Sequence, residues 1–474
     1  MKAEGGKKIG LWNVVGLGLG GAIGTGIFIL LGFGIANAGR AILPVVIVGC
    51  FFMLLAYWYN LAMPSMFVIE GGDYSMKAML CSPTMSGFGA FLTIVNAFAL
   101  SGYAIAMVDY AAIVWPALDG FRSIAALVIT TIFFASSIKG SRFITILENI
   151  VTLVLIAALV LFIGFGIGQV DPSAFFENTS GNPFFLGGVG GFVSALAIMG
   201  WACQGTTMAP VSMAAVTKNP KRNIPLGIVI ITLCLAVIYG LMAYVAGGVL
   251  PYDQIAGQNI SVTAKAIFPH GIYMFFVLGG GIGAIASSYI GGLGMFRYPL
   301  IQIAEDGWLP EFFKKQTKSG YPYMTYLMFY LISVFPIVTG MSLDAVVSLV
   351  MIPAMIMNIY MNLACFNLPS KFKAQWENRS LRMPVWFWKV CCVLGAFCAG
   401  VVTYNLFKGL NGRDMIICVI ICVVLFALSV LRLKQGAVSR EGLEKSKERI
   451  IEEAINADVE EENPKKREVL VNEI

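Results

Sequence analysis

The sequence predicts an all-helical polytopic membrane protein with twelve membrane-spanning helices, on the strength of three observations. Of 474 residues, 58% are apolar and 12% are charged, against roughly 25% charged in an ordinary globular protein; a soluble fold is excluded. Residues 9–39, 41–69, 149–170, 178–217, 223–252, 319–343 and 345–370 hold no Asp, Glu, Lys or Arg, and a bilayer span needs only about 20 such residues. These runs are long and lack period-2 alternation, so helices rather than barrel strands satisfy the backbone in lipid.

In order along the chain, the spans fall at residues 10–36, 41–67, 85–115, 121–138, 144–168, 189–214, 224–249, 273–300, 323–340, 344–368, 386–408 and 414–433. With the N-terminus inside, 27 of the 32 Lys and Arg face the cytoplasm, and only Arg40, Arg122, Lys265, Lys408 and Arg413 lie outside. Without the seven basic residues beyond position 434 the split is still 20 to 5. The excess of cations on inner loops puts both termini in the cytoplasm, which requires an even number of spans. Residues 1–10 are too few and too polar for a cleaved signal, so the first span is expected to act as an uncleaved insertion signal.

The organisation expected is a short cytoplasmic N-terminus (1–9), a membrane domain (10–434) and a charged cytoplasmic tail (435–474). That tail carries seven basic and eleven acidic residues, with a helical stretch near 440–457 that reads as a solvated helix. The ten cysteines lie almost entirely in apolar spans without metal-ligand spacing and read as small packing residues. No metal or cofactor is expected. The expected partners are the lipid bilayer and a small molecule, with no nucleic acid and with oligomeric state left open.

Glycine marks the functional centre. Span 1 carries Gly16, Gly18, Gly20, Gly21, Gly24 and Gly26, and the Gly24-Thr25-Gly26 triplet near its midpoint reads as a local unwinding rather than as packing alone. Span 6 carries Gln204, Thr206, Thr207 and Pro210 around Gly200 and Gly205, residues that are costly in lipid. Interrupted helices at matching places in two halves point to a transporter site, because a half-helix N-terminus offers free N–H groups and a positive dipole end to an anion. Spans 1–5 (10–168) and 6–10 (189–368) then form two inverted repeats, with spans 11 and 12 (386–433) appended.

Three segments carry a family resemblance. Gly21 to Phe28 (G-A-I-G-T-G-I-F), Lys218 to Pro225 (K-N-P-K-R-N-I-P), and Ala304 to Pro310 (A-E-D-G-W-L-P) followed by Gly320-Tyr321-Pro322 resemble, in order and spacing, the amino acid, polyamine and organocation transporters. The resemblance covers about residues 7–434. It implies the five-plus-five inverted-repeat fold first described for a leucine transporter, with broken helices 1 and 6. It also implies alternating-access transport of an amino acid or amine across the plasma membrane. By the same resemblance, the backbone of Ala22, Ile23, Gly24, Thr25 and Gly26 holds a substrate carboxylate on its N–H groups. The segment Gly200, Trp201, Ala202, Cys203 and Gly205 receives the α-amino group on its carbonyls. Trp201 lies near mid-span, away from the interfacial belt, and is expected to close over the substrate.

Two departures leave the driving force open. Gly205 is followed by Thr206 and Thr207, where many members carry an aromatic and then an acidic residue, and aligning on Asn149 and Thr152 puts Leu155 where some sodium-independent members carry a lysine. Passive exchange needs no ion site; sodium symport would need oxygens such as those of Ala22, Ile23, Ser287 and Ser288. Asp109, toward the outer end of span 3, and Glu148, at the inner end of span 5, read as solvated vestibule residues or as a proton relay. Arg297 reads as an inner gate paired with Glu305 or Asp306, or as a positive-inside anchor. The one histidine, His270, falls in an outer loop without a catalytic partner, which disfavours an enzyme. A channel would want rings of carbonyls or charges from several subunits. With no acid near Gly205, a neutral amino acid is the expected substrate.

Overall fold

The computed structural model describes residues 8–24, 26–138, 141–179, 181–317 and 320–462, and of residues 141–149 and 457–462 the backbone alone. Thr25 therefore lies outside the described residues, as does the side chain of Glu148. Helix α1 (Leu11–Ala22) ends where Ile23 turns extended (φ −86°, ψ 112°). The chain becomes helical again in a π turn at Gly26–Leu30 and continues as α2 (Leu31–Ala38). Gly39, at φ +63°, then reverses the chain into α3 (Ile42–Ala56). A Cβ there would stand 2.1 Å from the Pro183 carbonyl oxygen, so both the left-handed backbone and the close approach require glycine.

After a short amphipathic helix α4 (Gly72–Leu80) come α5 (Pro83–Val95), α6 (Ala97–Val114), α7 (Arg122–Ser137) and α8 (Ser141–Gly166). The second half holds α9 (Gly188–Cys203), α10 (Gly205–Ser212), α11 (Pro220–Gly248) and α12 (Gly283–Glu305), the last entered through a π turn at Phe276–Ile282. Then follow α13 (Tyr323–Val338), α14 (Leu343–Cys365), α15 (Val385–Gly409), α16 (Gly412–Lys434) and the tail helix α17 (Arg440–Glu462). No strand forms among the described residues. Among the described residues ten helical stretches are long and apolar enough to cross a membrane, and Leu11–Ala22 and Tyr323–Val338 are shorter apolar helices.

The outside of the bundle is as oily as its core. Ile132 on α7, Leu153 and Val160 on α8, Phe397 on α15 and Ile416 and Val423 on α16 all point outward and exposed, a surface that suits lipid and would be a penalty in water. Inside, α1 packs on α11, α10 and α12, and α9 packs on α2, α3 and α15, which brings the two interrupted helices to the centre.

Three features depart from the sequence reading. The third expected span is one apolar stretch over Pro83–Val114 but carries a single turn residue, Asn96, between α5 and α6. Lys77, counted above as an inner-loop cation, is 3% exposed and ion-paired with Asp73 one turn earlier in α4; Asp73 also accepts from the Tyr59 hydroxyl at 2.8 Å. The tail helix is not fully solvated. Leu443, Ile450 and Ala454 share one face and are buried, and α17 lies against α4. Ser446 donates to Asp306 at 3.1 Å and Arg449 to Gln302 at 2.9 Å. The sequence shows the apolar stripe, but only the folded inner face supplies a surface to cover it.

Candidate substrate site

The two interruptions meet backbone to backbone. A Cβ on Gly26 would stand 2.4 Å from Ala202 Cα, and one on Gly205 would stand 2.8 Å from Ala22 Cα. The contact is reciprocal: each glycine abuts an alanine of the other segment. Any side chain at either glycine would push the segments apart, because the atoms met are backbone rather than flexible side-chain ends.

Opening α1 at Ile23 leaves backbone groups without helical partners. On the carbonyl side, hydroxyls replace them: Ser287 donates to Gly20 O at 3.2 Å, Ser288 to Gly21 O and Ile23 O at 3.4 Å each, and Tyr239 to Ala22 O at 3.1 Å. The oxygens considered above as sodium ligands are thus divided. Ile23 O meets Ser288, whereas Ala22 O is engaged by Tyr239 from α11 and Ser287 turns to Gly20. On the amide side, a helix start leaves its first N–H groups without intrahelical acceptors, and the π turn starts at Gly26, with Phe28 N–H bonded back to Gly24 O at 3.3 Å. Donors of this kind at a helix start can receive a carboxylate.

Span 6 is interrupted far less. Gly200, Trp201, Ala202 and Cys203 remain helical in α9, and only Gln204, itself in the αR region (φ −74°, ψ −23°), separates α9 from α10. Its N–H still donates to Gly200 O at 2.9 Å, so that carbonyl is occupied within the chain. Side chains supply the polarity instead. Tyr57 donates to Gln204 Oε1 at 2.7 Å, and Asn60 donates to Thr207 Oγ1 at 3.2 Å.

A cavity of about 420 Å³ opens at this junction, within the size range of small-molecule sites. Gly21, Ala22, Gly24, Gly26, Trp201, Gln204, Gly205 and Ser288 line its inner part, and it extends to the end of the bundle that carries Ile9, Val216 and Tyr321. Trp201 is 8% exposed and packs on Tyr103 with ring centroids 6.1 Å apart. A second cavity, of about 400 Å³, is lined by Phe33, Asp109, Arg122 and Asp344. No residue lines both. Phe28 lies between them in a ring cluster with Tyr110 and Phe276, and Tyr110 donates to Phe28 O at 2.9 Å.

The ionisable candidates stand apart from the junction. Asp109 is ion-paired with Arg122 at 3.2 Å. Arg297 lines the first cavity at its open end and donates to Gly320 O at 3.0 Å. Asp306 accepts from Tyr74 at 2.7 Å and from Gln302 at 2.7 Å. Burial, reinforced by the Asp306 charge, pushes the Tyr74 phenol well above its ordinary value. Leu155 is fully buried. Among the described residues no group of three or more His, Cys, Asp or Glu could hold a metal ion. The sequence reading missed Asn96 and Tyr103 as cavity residues; the signal available was a lone amide within the apolar stretch at residues 88–100.

Comparison with known proteins matches the family described as amino acid permease over residues 9–427. The branched-chain amino acid permease of Bacillus subtilis is 28% identical over 283 residues, 54% of this chain and 58% of that protein. The methylthioribose transporter of the same organism is 27% identical over 332 residues, 65% of this chain and 69% of that protein. The histidine permease of Lactococcus lactis is 25% identical over 351 residues, 69% of this chain and 72% of that protein. The match to the family runs from two residues before α1 into α16 and spans both helix interruptions and the cavity between them: the chain belongs to the amino acid permease family, within the amino acid, polyamine and organocation superfamily.

Proposed function

We propose that this protein carries amino acids across the plasma membrane by alternating access, with twelve spans, both termini in the cytoplasm, and spans 1–5 and 6–10 as inverted repeats. The observation that carries the reading is the cavity at the Gly26–Ala202 and Ala22–Gly205 contacts, continuous with one end of the bundle and separate from the cavity at the other. A cavity lined by both interruptions and set apart from the cavity at the other end fits one state of a carrier. The carboxylate sits against the backbone N–H groups of the opened segment that ends at Gly26, the ammonium faces the span 6 step between Gly200 and Gly205, and Trp201 covers both. The substrate is a neutral amino acid, since among the described residues lining the cavity Arg297 is the one that carries a charge. The names of the relatives, two permeases of amino acids and one methylthioribose transporter, agree with a small polar substrate.

Coupling is weak or absent, and transport is mainly exchange. A proton switch needs a group whose protonation changes the balance of inward and outward states, and Thr207 and Leu155 cannot supply one. In vesicles loaded with substrate, counterflow should run at similar rates with or without a pH gradient, and replacing sodium by choline should change little. Concentrative uptake driven by a pH gradient and lost in Asp109→Asn or Glu148→Gln would overturn the exchange reading and identify a symporter. Lack of any counterflow would remove the carrier reading.

A further inference from the structure

The cavity holds more hydrogen-bonding capacity than the protein uses. Asn96, at the division between α5 and α6, is 7% exposed and lines the cavity. Its backbone completes the helix, N–H to Leu92 O at 3.1 Å and O from Ala99 N–H at 3.0 Å, and its side chain makes no cap bond. The carboxamide has no hydrogen-bond partner among the described residues, although such a group offers two donors and two acceptor sites. On the same cavity, Gln204 spends its oxygen on Tyr57, while its amide N–H₂ donates to no described residue. The Tyr103 hydroxyl, on the same cavity, likewise has no described partner.

Resting on the reading of a neutral amino acid carrier, we propose that Asn96, with the Gln204 amide and the Tyr103 hydroxyl, selects substrates whose side chain is polar but uncharged, a hydroxyl or a carboxamide. A buried amide facing a cavity is costly unless its partner arrives with the ligand. An apolar side chain would leave Asn96 unpaired, and sites built around a hydrogen bond reject analogues that lack it. A cationic or anionic side chain would find no counter-charge beside Asn96. Val350, Met351 and Ala354 on α14 supply the apolar walls that fit the rest of the side chain.

The test uses the full chain in vesicles and compares near-isosteric pairs, threonine with valine and asparagine with leucine. Wild type should favour the polar member about tenfold in kcat/KM, the net worth of one well-made hydrogen bond. Asn96→Leu, or Asn96→Ala if the first variant inserts poorly, should bring both ratios close to one. Preference for valine and leucine, unchanged in either variant, would overturn the proposal and leave Asn96 as a hydration site. Uptake of no zwitterion at all, with uptake of an amine or a sugar instead, would overturn the carrier reading beneath it, a result distinct from equal transport of both members of each pair.

Discussion

The two interruptions that face each other across the cavity reach polarity by different routes. Span 1 opens its backbone: Ile23 leaves the helix, and three hydroxyls from α11 and α12 replace the lost bonds of four carbonyls. Span 6 keeps its helix through Cys203, steps once at Gln204, and relies on side-chain amides and hydroxyls. Glycine density tracks the difference. Span 1 has six glycines from Gly16 to Gly26, whereas Gly200 and Gly205 are the only two between Ala195 and Ser212. A backbone that must expose N–H groups to a ligand needs positions without side chains; a wall that presents side chains does not.

Substitutions at the span 1 glycines should break this asymmetry with the largest effect. Gly26→Val places its side chain into the backbone of Ala202, so uptake should fall by at least about 100-fold while insertion is retained, a misplacement of about 1 Å being enough for such a loss. Gly24→Val meets Ser288 Oγ and Cβ, at 2.1 and 2.9 Å from the added Cβ, and should abolish uptake as well; Ser288→Gly should restore part of it. Normal uptake in both valine variants would move the site away from span 1.

Next in size is the aromatic cover. Trp201→Ala should weaken substrate binding by about 1–3 kcal/mol, the worth of one buried aromatic contact. Unchanged kinetics with lower yield would make Trp201 a packing residue only. Smaller still, Ser288→Ala removes one hydroxyl from the opened carbonyls and should cost about 1 kcal/mol of stability, read as a lowered Tm; Thr206→Val, on the span 6 side, removes a buried hydroxyl with no partner and should cost less.

The smallest effect lies at the docked tail. Burial first, then the nearby Glu70, raises the Glu453 carboxyl above its ordinary range, with Arg449 opposing. A carboxyl raised on docking contributes stability that is complete below its undocked value and lost as pH rises through the docked one. Wild-type Tm should therefore fall relative to Glu453→Gln over that window, by about 2 °C or less. Parallel profiles would mean that the tail undocks without consequence.

Much of this was legible in the chain. Hydropathy located the apolar stretches, the glycine run located the span 1 opening, and Gln204, Thr206, Thr207 and Pro210 around Gly200 and Gly205 located the span 6 step. Periodicity could not show that Asn96 divides the third span, because neither Pro nor Gly marks the place and one amide barely lowers the local hydropathy. Nor could it show the Asp73–Lys77 pair as buried: two charges one turn apart in a short polar stretch look like a solvated loop until Tyr59 and the neighbouring helices close over them. The mildness of the span 6 step was hidden for a related reason. Gln204 and Thr207 look expensive in lipid, but Tyr57 engages the Gln204 oxygen and Asn60 the Thr207 hydroxyl without unwinding the helix.

Competition by analogues tests most directly the claim that backbone donors at the span 1 opening and the polar step of span 6 hold the two ends of a zwitterion. Counterflow of a neutral amino acid should be inhibited by other neutral amino acids. It should be unaffected by the same molecule without its carboxylate or with that carboxylate esterified, because the helix start at Gly26 then loses its anion. Equal inhibition by the decarboxylated amine would contradict the account.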